Sequence, residues 1–576
     1  MRKVILSICF CIVKFNVMYS QNVDFKLANF SEQKAKLEVA KSNLSAANKY
    51  FNNDLYIFAL KLYLQAYDLN PSNAELNYKI GMCYFLSGQQ YKAAAYFEKT
   101  ESLAPNKYKD IQYFLAESYQ YNLEFDKAIV EFGVYKKLLS DNDLAILGGG
   151  IERKIKECKI AKDYVSNYDK NITIMNLGPQ INSVYSEYTP LVIEDGTQMY
   201  FTSQGNDTLE YSKKTSQINE HILITEKENN YWTSAIYADS PFNNKKYSSV
   251  VTLVPANDAF IVYRGDNGGD LYETRFVNNK FTEFESLGDK VNTEYKESSA
   301  SVTADGKYLY FTSDRPGGKG GSDIYVSRLI GKGKWGKPKN LGPSINTLLD
   351  EDGVSISPDG KTLYFSSQGF KGMGGFDVYK SVLVNNKWSK DQNMGYPINT
   401  PGDDIYFQIC KDERSAYYTS QRPEGFGGAD IYYVTFNFDK PNFDTSIQPD
   451  TALFSVINHK LDSAGFKDFY AQVQIGAYYN KTVVDFKNYY PSLQSCEIHI
   501  ESVPIRNGKF LLKFILDKKF KTIEEAAIVQ KEMWNVHKIT DAFVAIYNMQ
   551  NQRIAIYNTI SQQFVILKGD EKPVYF

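Results

Sequence analysis

Between residues 171 and 438 apolar and polar positions alternate in short runs, the period of half-buried β-strands. The stretch SVTADGKYLYFTS shows the unit: alternation, a tight Asp305-Gly306 turn, then a strand rich in Tyr and Phe. The turn recurs at Asp359-Gly360 and Asp195-Gly196. A glycine-rich loop follows (PGGKGGSD, FKGMGGFD, PEGFGGAD), then a third strand, DIYVSRL or DVYKSVL, and a fourth carrying Trp335 or Trp388. Matched positions fall 53 or 54 residues apart: Asn292, Asn346 and Asn399 at the front, Asp323, Asp377 and Asp430 behind. Two worn copies precede them, from Ile181 and from Ser248, and Asp270 keeps the register of the second.

A fixed period of this size marks units that bury their apolar face only by stacking on copies of themselves. Five repeats of four strands in radial array predict an all-β propeller of five blades over 169–438. The strand NITIMNL, from Asn171, is placed to complete the last blade and close the ring. The glycine-rich loops are not phosphate cradles, because a strand follows each and no GxxxxGK[ST] occurs. The acidic runs Asp350-Glu351-Asp352 and Asp403-Asp404 suit either calcium ligation or hydrogen-bonded corners between blades. The SPDGKTLYFSS block, with DIY after a glycine-rich loop, resembles the PD40 (WD40-like) repeat of TolB-type propellers.

The N-terminal part keeps another period. Ala47, Tyr50, Ala59, Tyr63, Ala66 and Pro71 form one set; Gly81, Tyr84, Ala93, Phe97 and Pro105 form the next. Ala116, Tyr119, Ala128 and Phe132 form a third. Pro71 and Pro105 stand 34 residues apart, the tetratricopeptide (TPR) period. Small residues let paired helices approach, aromatics fill between units, and proline ends the second helix. An all-α TPR solenoid is therefore expected over 21–168, led by a helix at 25–44 and capped by one at 151–165. The first helix of the second repeat offers Tyr78, Met82 and Phe85, either to a groove for a partner peptide or to packing against the neighbouring unit.

After a polar linker (439–467) the last hundred residues predict a small α+β domain over 468–576, in the order βαββαβ. The strands fall near 471–475, 496–503, 508–516 and 541–548, and the helices near 483–490 and 522–536. In the first strand Val473 and Ile475 point one way, Gln472 and Gln474 the other. The YxxxQIGAY opening and the EEAxxxxxxM…DAFVAIY ending resemble the SPOR domain, which binds peptidoglycan glycan strands. The usual V-G-P-F segment reads FILDKKF here. The resemblance implies glycan contacts at Gln472, Gln474 and Tyr478 on an open sheet face; the alternative is a docking module that has lost the sugar.

Arg2 and Lys3 precede an apolar run from Val4 to Val13. It is too short to span a bilayer and suits a Sec-type signal peptide ending near Ser20. No later stretch is long and apolar enough for a transmembrane segment. Lys plus Arg is 65 against 67 Asp plus Glu, so no basic field favours nucleic acid. Six cysteines, two within the signal run, give no disulfide framework. The four histidines, His221, His459, His499 and His537, are scattered, and neither HExxH nor GxSxG occurs. No enzyme, no cofactor and no metal are expected on these grounds.

Together these modules predict a periplasmic scaffold associated with the outer membrane and peptidoglycan. Helical repeats, a PD40 propeller and a wall-binding tail in this order resemble the PorE family of type IX secretion and gliding machinery. In that family the tail is OmpA-like rather than SPOR-like. The resemblance implies an outer-membrane β-barrel of the PorP/SprF type as partner. The competing expectation is a TolB-like envelope factor whose propeller binds a small ligand or glycan.

Overall fold

A computed structural model describes residues 21–436 apart from 194–195, 206–219, 229–230, 244–247, 255–258, 266–267, 279 and 332, and residues 451–566 apart from 479–496, 505–509, 536–541, 550–551 and 559–562. The signal run and the 483–490 helix expectation lie outside these residues. The chain forms two compact units, Met1–Phe438 and Asp439–Phe576.

The first unit opens with helices α1 (Lys34–Phe51), α2 (Tyr56–Tyr67), α3 (Ala74–Leu86), α4 (Ala94–Leu103), α5 (Ile111–Tyr121), α6 (Phe125–Leu138) and α7 (Asp141–Ser166). They pack as three successive pairs with α7 against α6. The spaced small residues meet the partner helices: Ala47, Ala59, Ala66, Ala93, Ala116 and Ala128 are fully buried, as are Phe97 and Phe132. Asn73 caps α3 by accepting from Leu76 N at 2.9 Å, and Ser140 caps α7 through Asp143 N at 3.2 Å. The expected leading helix at 25–44 is instead α1, shifted so that it pairs with α2. The cap begins ten residues earlier than its apolar pattern, at Asp141.

Five antiparallel sheets follow. The innermost strands are Glu187–Val192, Ser248–Val254, Glu297–Val302, Glu351–Ile356 and Asp404–Ile409. Each lies beside the next, and the fifth returns to the first, so the sheets stand as blades around an axis. Ile172–Asn176 pairs antiparallel with Asp430–Phe436 of the last blade, so residues from both ends of the ring share one sheet. The fourth strand of the other blades is only two residues long, as at Lys334–Trp335 and Lys387–Trp388.

The repeat residues make the corners between blades. Asn346 donates through Nδ2 to Ile324 O and accepts from Ile324 N; Asn399 does the same with Val378. Glu351 accepts from Thr347 N, Thr347 Oγ1 and Ser367 Oγ. Asp350 and Asp403 accept from Ser322 N and Phe376 N of the preceding blade at 2.8 and 2.9 Å. Of the two readings of the acidic runs, these contacts are hydrogen-bonded corners. The loop glycines bring backbone against backbone: a Cβ on Gly374 would lie 1.9 Å from Pro401 O.

The helices and blades belong to one unit rather than two separate domains. Met373, from the glycine-rich loop of the fourth blade, is fully buried in the cluster formed by α4–α7. Gln120 Nε2 donates to Met373 O at 3.0 Å, and Tyr91 OH to Gly425 O at 3.2 Å in the fifth blade's loop. Tyr168 meets Tyr396 edge-on at 5.8 Å. Behind this seat Lys154 pairs with Glu117 at 2.8 Å. Burial opposes charge on Lys154, yet Glu117 and Glu157 outweigh it and hold its pKa above the usual lysine value.

The second unit is one antiparallel sheet in the order Ile498–Pro504, Phe510–Leu516, Phe469–Tyr478, Phe543–Asn548, Arg553–Asn558, Gln563–Ile566. Two features correct the sequence reading. The linker contains a helix, Thr451–Ser463, whose Phe454, Ile457 and Leu461 enter the sheet's core beside helix Ile523–Asn535. Beyond the four expected strands, the last two strands form a closing hairpin.

Candidate functional site

Three places answer to the residues singled out above. The first is the helical groove. Tyr78, Met82 and Phe85 are half-buried on α3 and packed towards the next pair. Tyr78 stacks on Tyr108 at 3.8 Å with the rings 1° from parallel, and Phe85 meets Phe114 edge-on at 4.9 Å. Part of each side chain therefore serves packing between helix pairs, and part remains accessible.

The second is the sheet face of the C-terminal unit. Val473 and Ile475 are fully buried under the helices, as alternation requires. Gln472 and Gln474 point the other way, but they do not lie on an open face: each is only 2% exposed. Gln472 Nε2 donates to Leu516 O at 3.3 Å. Arg553 Nη2 donates to Gln474 Oε1 at 2.7 Å and to Tyr547 OH at 3.0 Å. The expected glycan contacts are thus engaged within the sheet, because Arg553 arrives on a strand the sequence reading did not foresee. Tyr478 lies in the same strand, opposite Leu512, and its side chain is outside the description.

The third place was missed by the sequence reading and lies on the propeller axis. Every innermost strand carries a one-residue irregularity at the same level: Tyr188/Leu191, Val250/Thr252, Glu297/Ala300, Asp352/Ser355 and Ile405/Gln408. Such bulges re-aim side chains. Thr189, Gly353 and Tyr406 take φ of 52°, 60° and 57° there. A narrow cleft with room for about one water lies beside them, lined by Thr189, Val251, Ser298, Gly353, Tyr406 and Gln408 among others.

Tyr406 joins this cleft to a polar cluster. Its ring stacks with Tyr188 at 6.3 Å. Asp352 accepts from Ser298 Oγ at 3.1 Å, Thr312 Oγ1 at 3.2 Å and Gly353 N at 2.8 Å. Thr189, Thr202 and Ser249 hydroxyls form a triangle with sides of 2.9, 2.8 and 3.3 Å. Glu220 faces Tyr188, Gln204 and Lys296; burial pushes its carboxyl above the usual range, and these three neighbours only partly offset this. Burial likewise raises the Tyr188 and Tyr406 phenols, with Glu220 contributing to both. The available signal was divergence between repeats: the acid heading four of the five strands recurs as Glu187, Glu297, Glu351 and Asp404, whereas the next position is Tyr188, Ser298, Asp352 and Ile405.

Among the described residues no group of three or more His, Cys, Asp or Glu side chains is placed to hold a metal ion. In the same residues no helix is long and apolar enough to cross a membrane.

No protein-family model matches the chain, and no curated protein matches it. Solved structures do. An α-L-arabinofuranosidase from Lactobacillus brevis matches at 14% identity over 46% of this chain and 96% of its own, with a TM-score of 0.32. A gluconolactonase from Xanthomonas campestris matches at 12% over 46% and 89%, TM-score 0.29. The intramolecular trans-sialidase from Ruminococcus gnavus matches at 11% over 43% and 61%, TM-score 0.26. These are enzymes, so the sequence-based exclusion of an enzyme is corrected and does not stand. At such identities and TM-scores the likeness assigns no chemistry to this chain.

Proposed function

We propose that this chain is an envelope scaffold: a TPR-type array and a PD40-type propeller joined as one platform, carrying a SPOR-like tail that tethers it to peptidoglycan. One observation carries the reading. Met373 is fully buried among the helices while its carbonyl accepts from Gln120, so the propeller loop is built into the helical core. A buried side chain with a satisfied backbone group resists separation of the two parts. A platform of this kind holds partner surfaces in fixed relation, which is what a scaffold requires. In this reading the half-buried Tyr78, Met82 and Phe85 edge receives a partner segment. By resemblance to the PorE family, that partner is an outer-membrane β-barrel of the PorP/SprF type, and the location is the periplasm.

The test is gel filtration of the full chain with a detergent-solubilised barrel of that type. Co-elution that is weakened by Tyr78→Ala supports the scaffold. Separate elution of the two proteins across a concentration series contradicts it.

A second reading has its own support. Burial of Gln472 and Gln474 beneath Arg553 favours a tail that docks on protein instead of glycan. Retention of the full chain on a partner barrel but not on sacculi would select it.

A further inference from the structure

The scaffold reading gives no role to the outer rim of the propeller. There the third and fourth strands of a blade meet in a hairpin, at the end of the third strand away from the glycine-rich loop. In the third blade it joins Asp323–Gly331 to Lys334–Trp335, and in the fourth Asp377–Val384 to Lys387–Trp388. Alternation decides which side chains face out. Leu329 lies opposite Trp335, and both enter the core between the second and third blades. Leu383 lies opposite Trp388, which meets Tyr310 of the third blade edge-on at 6.0 Å. The residues alternating with these are pushed into solvent: Ile330 is 69% exposed, Val382 40% and Val384 56%. Tight turns hold them there. Asn385 and Asn386 sit at φ 51° and 57°, the left-handed pair that suits a two-residue hairpin, and Gly331 and Gly333 at 114° and 70°.

The same two hairpins carry one sign of charge. Arg328 to Lys339 reads RLIGKGKWGKPK and Lys380 to Lys390 reads KSVLVNNKWSK, without an acid in either. Arg328, Lys334, Lys337, Lys339, Lys387 and Lys390 are exposed. At the neighbouring turns Asp305 and Asp359 are engaged by Lys307 and Lys361 at 2.9 and 3.7 Å. The hairpin of the first blade carries Glu226 and Glu228 instead, and that of the second sets Arg275 and Lys280 against Glu273 and Glu283. The basic and apolar combination thus belongs to two adjacent blades and is not a property of the repeat.

We propose that the outer hairpins of the third and fourth blades form a membrane-contact surface, which docks the propeller on a bilayer of anionic phospholipid. Lysines on an outermost strand also keep sheet edges from pairing, but that role asks for no bare isoleucine or valine beside them. A soluble acidic polymer would answer the charge and leave the apolar side chains in water. An anionic bilayer answers both, offering phosphates to the cations and the boundary between headgroups and acyl chains to Ile330, Val382 and Val384.

The test is sedimentation of the full chain with vesicles of phosphatidylcholine alone, or of phosphatidylcholine and phosphatidylglycerol in equal parts. Neither sacculi nor a barrel is present, so the outcome is separate from that of the scaffold reading. The chain should be retained on the anionic vesicles, less so as salt rises, and little on phosphatidylcholine. Lys387→Gln should weaken retention about fivefold, the worth of one cation near such a surface. Ile330→Ser combined with Val384→Ser should weaken it at least about tenfold. Ile236→Ser, at a 66% exposed position on the outermost strand of the first blade, should leave it unchanged. Urea unfolding of each variant confirms that it is folded. No retention of the folded chain, or equal retention on both kinds of vesicle, would overturn the proposal. Retention that survives the Ile330→Ser and Val384→Ser pair would also overturn it, in favour of an acidic polymer read by charge alone.

Discussion

Gly353 shows how much one position can carry. At φ 60° with a virtual Cβ 2.7 Å from Tyr406 N, Gly353→Ala should cost about 1–3 kcal/mol in urea unfolding without altering the helical array. The corner carboxyls make a second case. Glu187, Glu351 and Asp404 each accept several hydrogen bonds, yet burial dominates and lifts each to about 7. The unfolded chain releases these protons near 4.5 or 3.8, whereas the folded chain keeps them up to about 7. Between those values the native state binds more protons, so stability is greatest at the acid end of this window. It falls as pH rises to about 7 and is level above. The unfolding free energy from urea titration should therefore drop from pH 5 to pH 7.5, by about 1–3 kcal/mol per carboxyl, and Glu351→Gln should flatten the slope. At this scale the sequence disclosed the repeated Asn and acidic positions but not their partners. Asn399 and Val378 are brought together only by the stacking of blades. Tyr188 and Tyr406 went unseen, and Asp352 was read only as part of an acidic run, because a repeat draws the eye to what recurs and these positions are where the copies differ.

The decisive element is the glycine-rich loop of the fourth blade. Its Met373 fills the helical core, so Met373→Ala should cost about 2–5 kcal/mol, the range for emptying such a site. Met373→Asp should free the helices, read as faster amide exchange in α5 and α7 with the blades unchanged; unaltered exchange would contradict the built-in seat. The helix pairs themselves were legible, since the small and aromatic residues at 34-residue spacing proved to be buried, apart from the exposed Tyr50 and the half-buried Tyr84. The helix at Thr451–Ser463 was not, because the polar run before it reads as linker. Phe454, Ile457 and Leu461, at helical spacing, were the signal. The closing hairpin hid similarly: RIAIYN alternates, but the SPOR resemblance has no strand there. That strand supplies Arg553, which engages Gln474, one of the expected glycan contacts.

On the scale of the whole molecule, the described residues of the first unit form five stacked blades and seven α-helices, and a second compact unit follows. The blade count and ring closure were readable from a 53-residue period and the Asn171 strand; the union of helices and blades was not, because it rests on contacts between loops far apart in sequence. Enzyme chemistry was excluded too readily from missing motifs, since sequence motifs report only chemistries that keep fixed local spacing. A scaffold tethered through its C-terminal unit should hold to the cell wall. The direct measurement is sedimentation of the full chain with purified peptidoglycan sacculi, intact and stripped of peptides by amidase. Co-sedimentation that rises on the stripped sacculi is the expected result. A chain that stays in the supernatant with both preparations would contradict the tether.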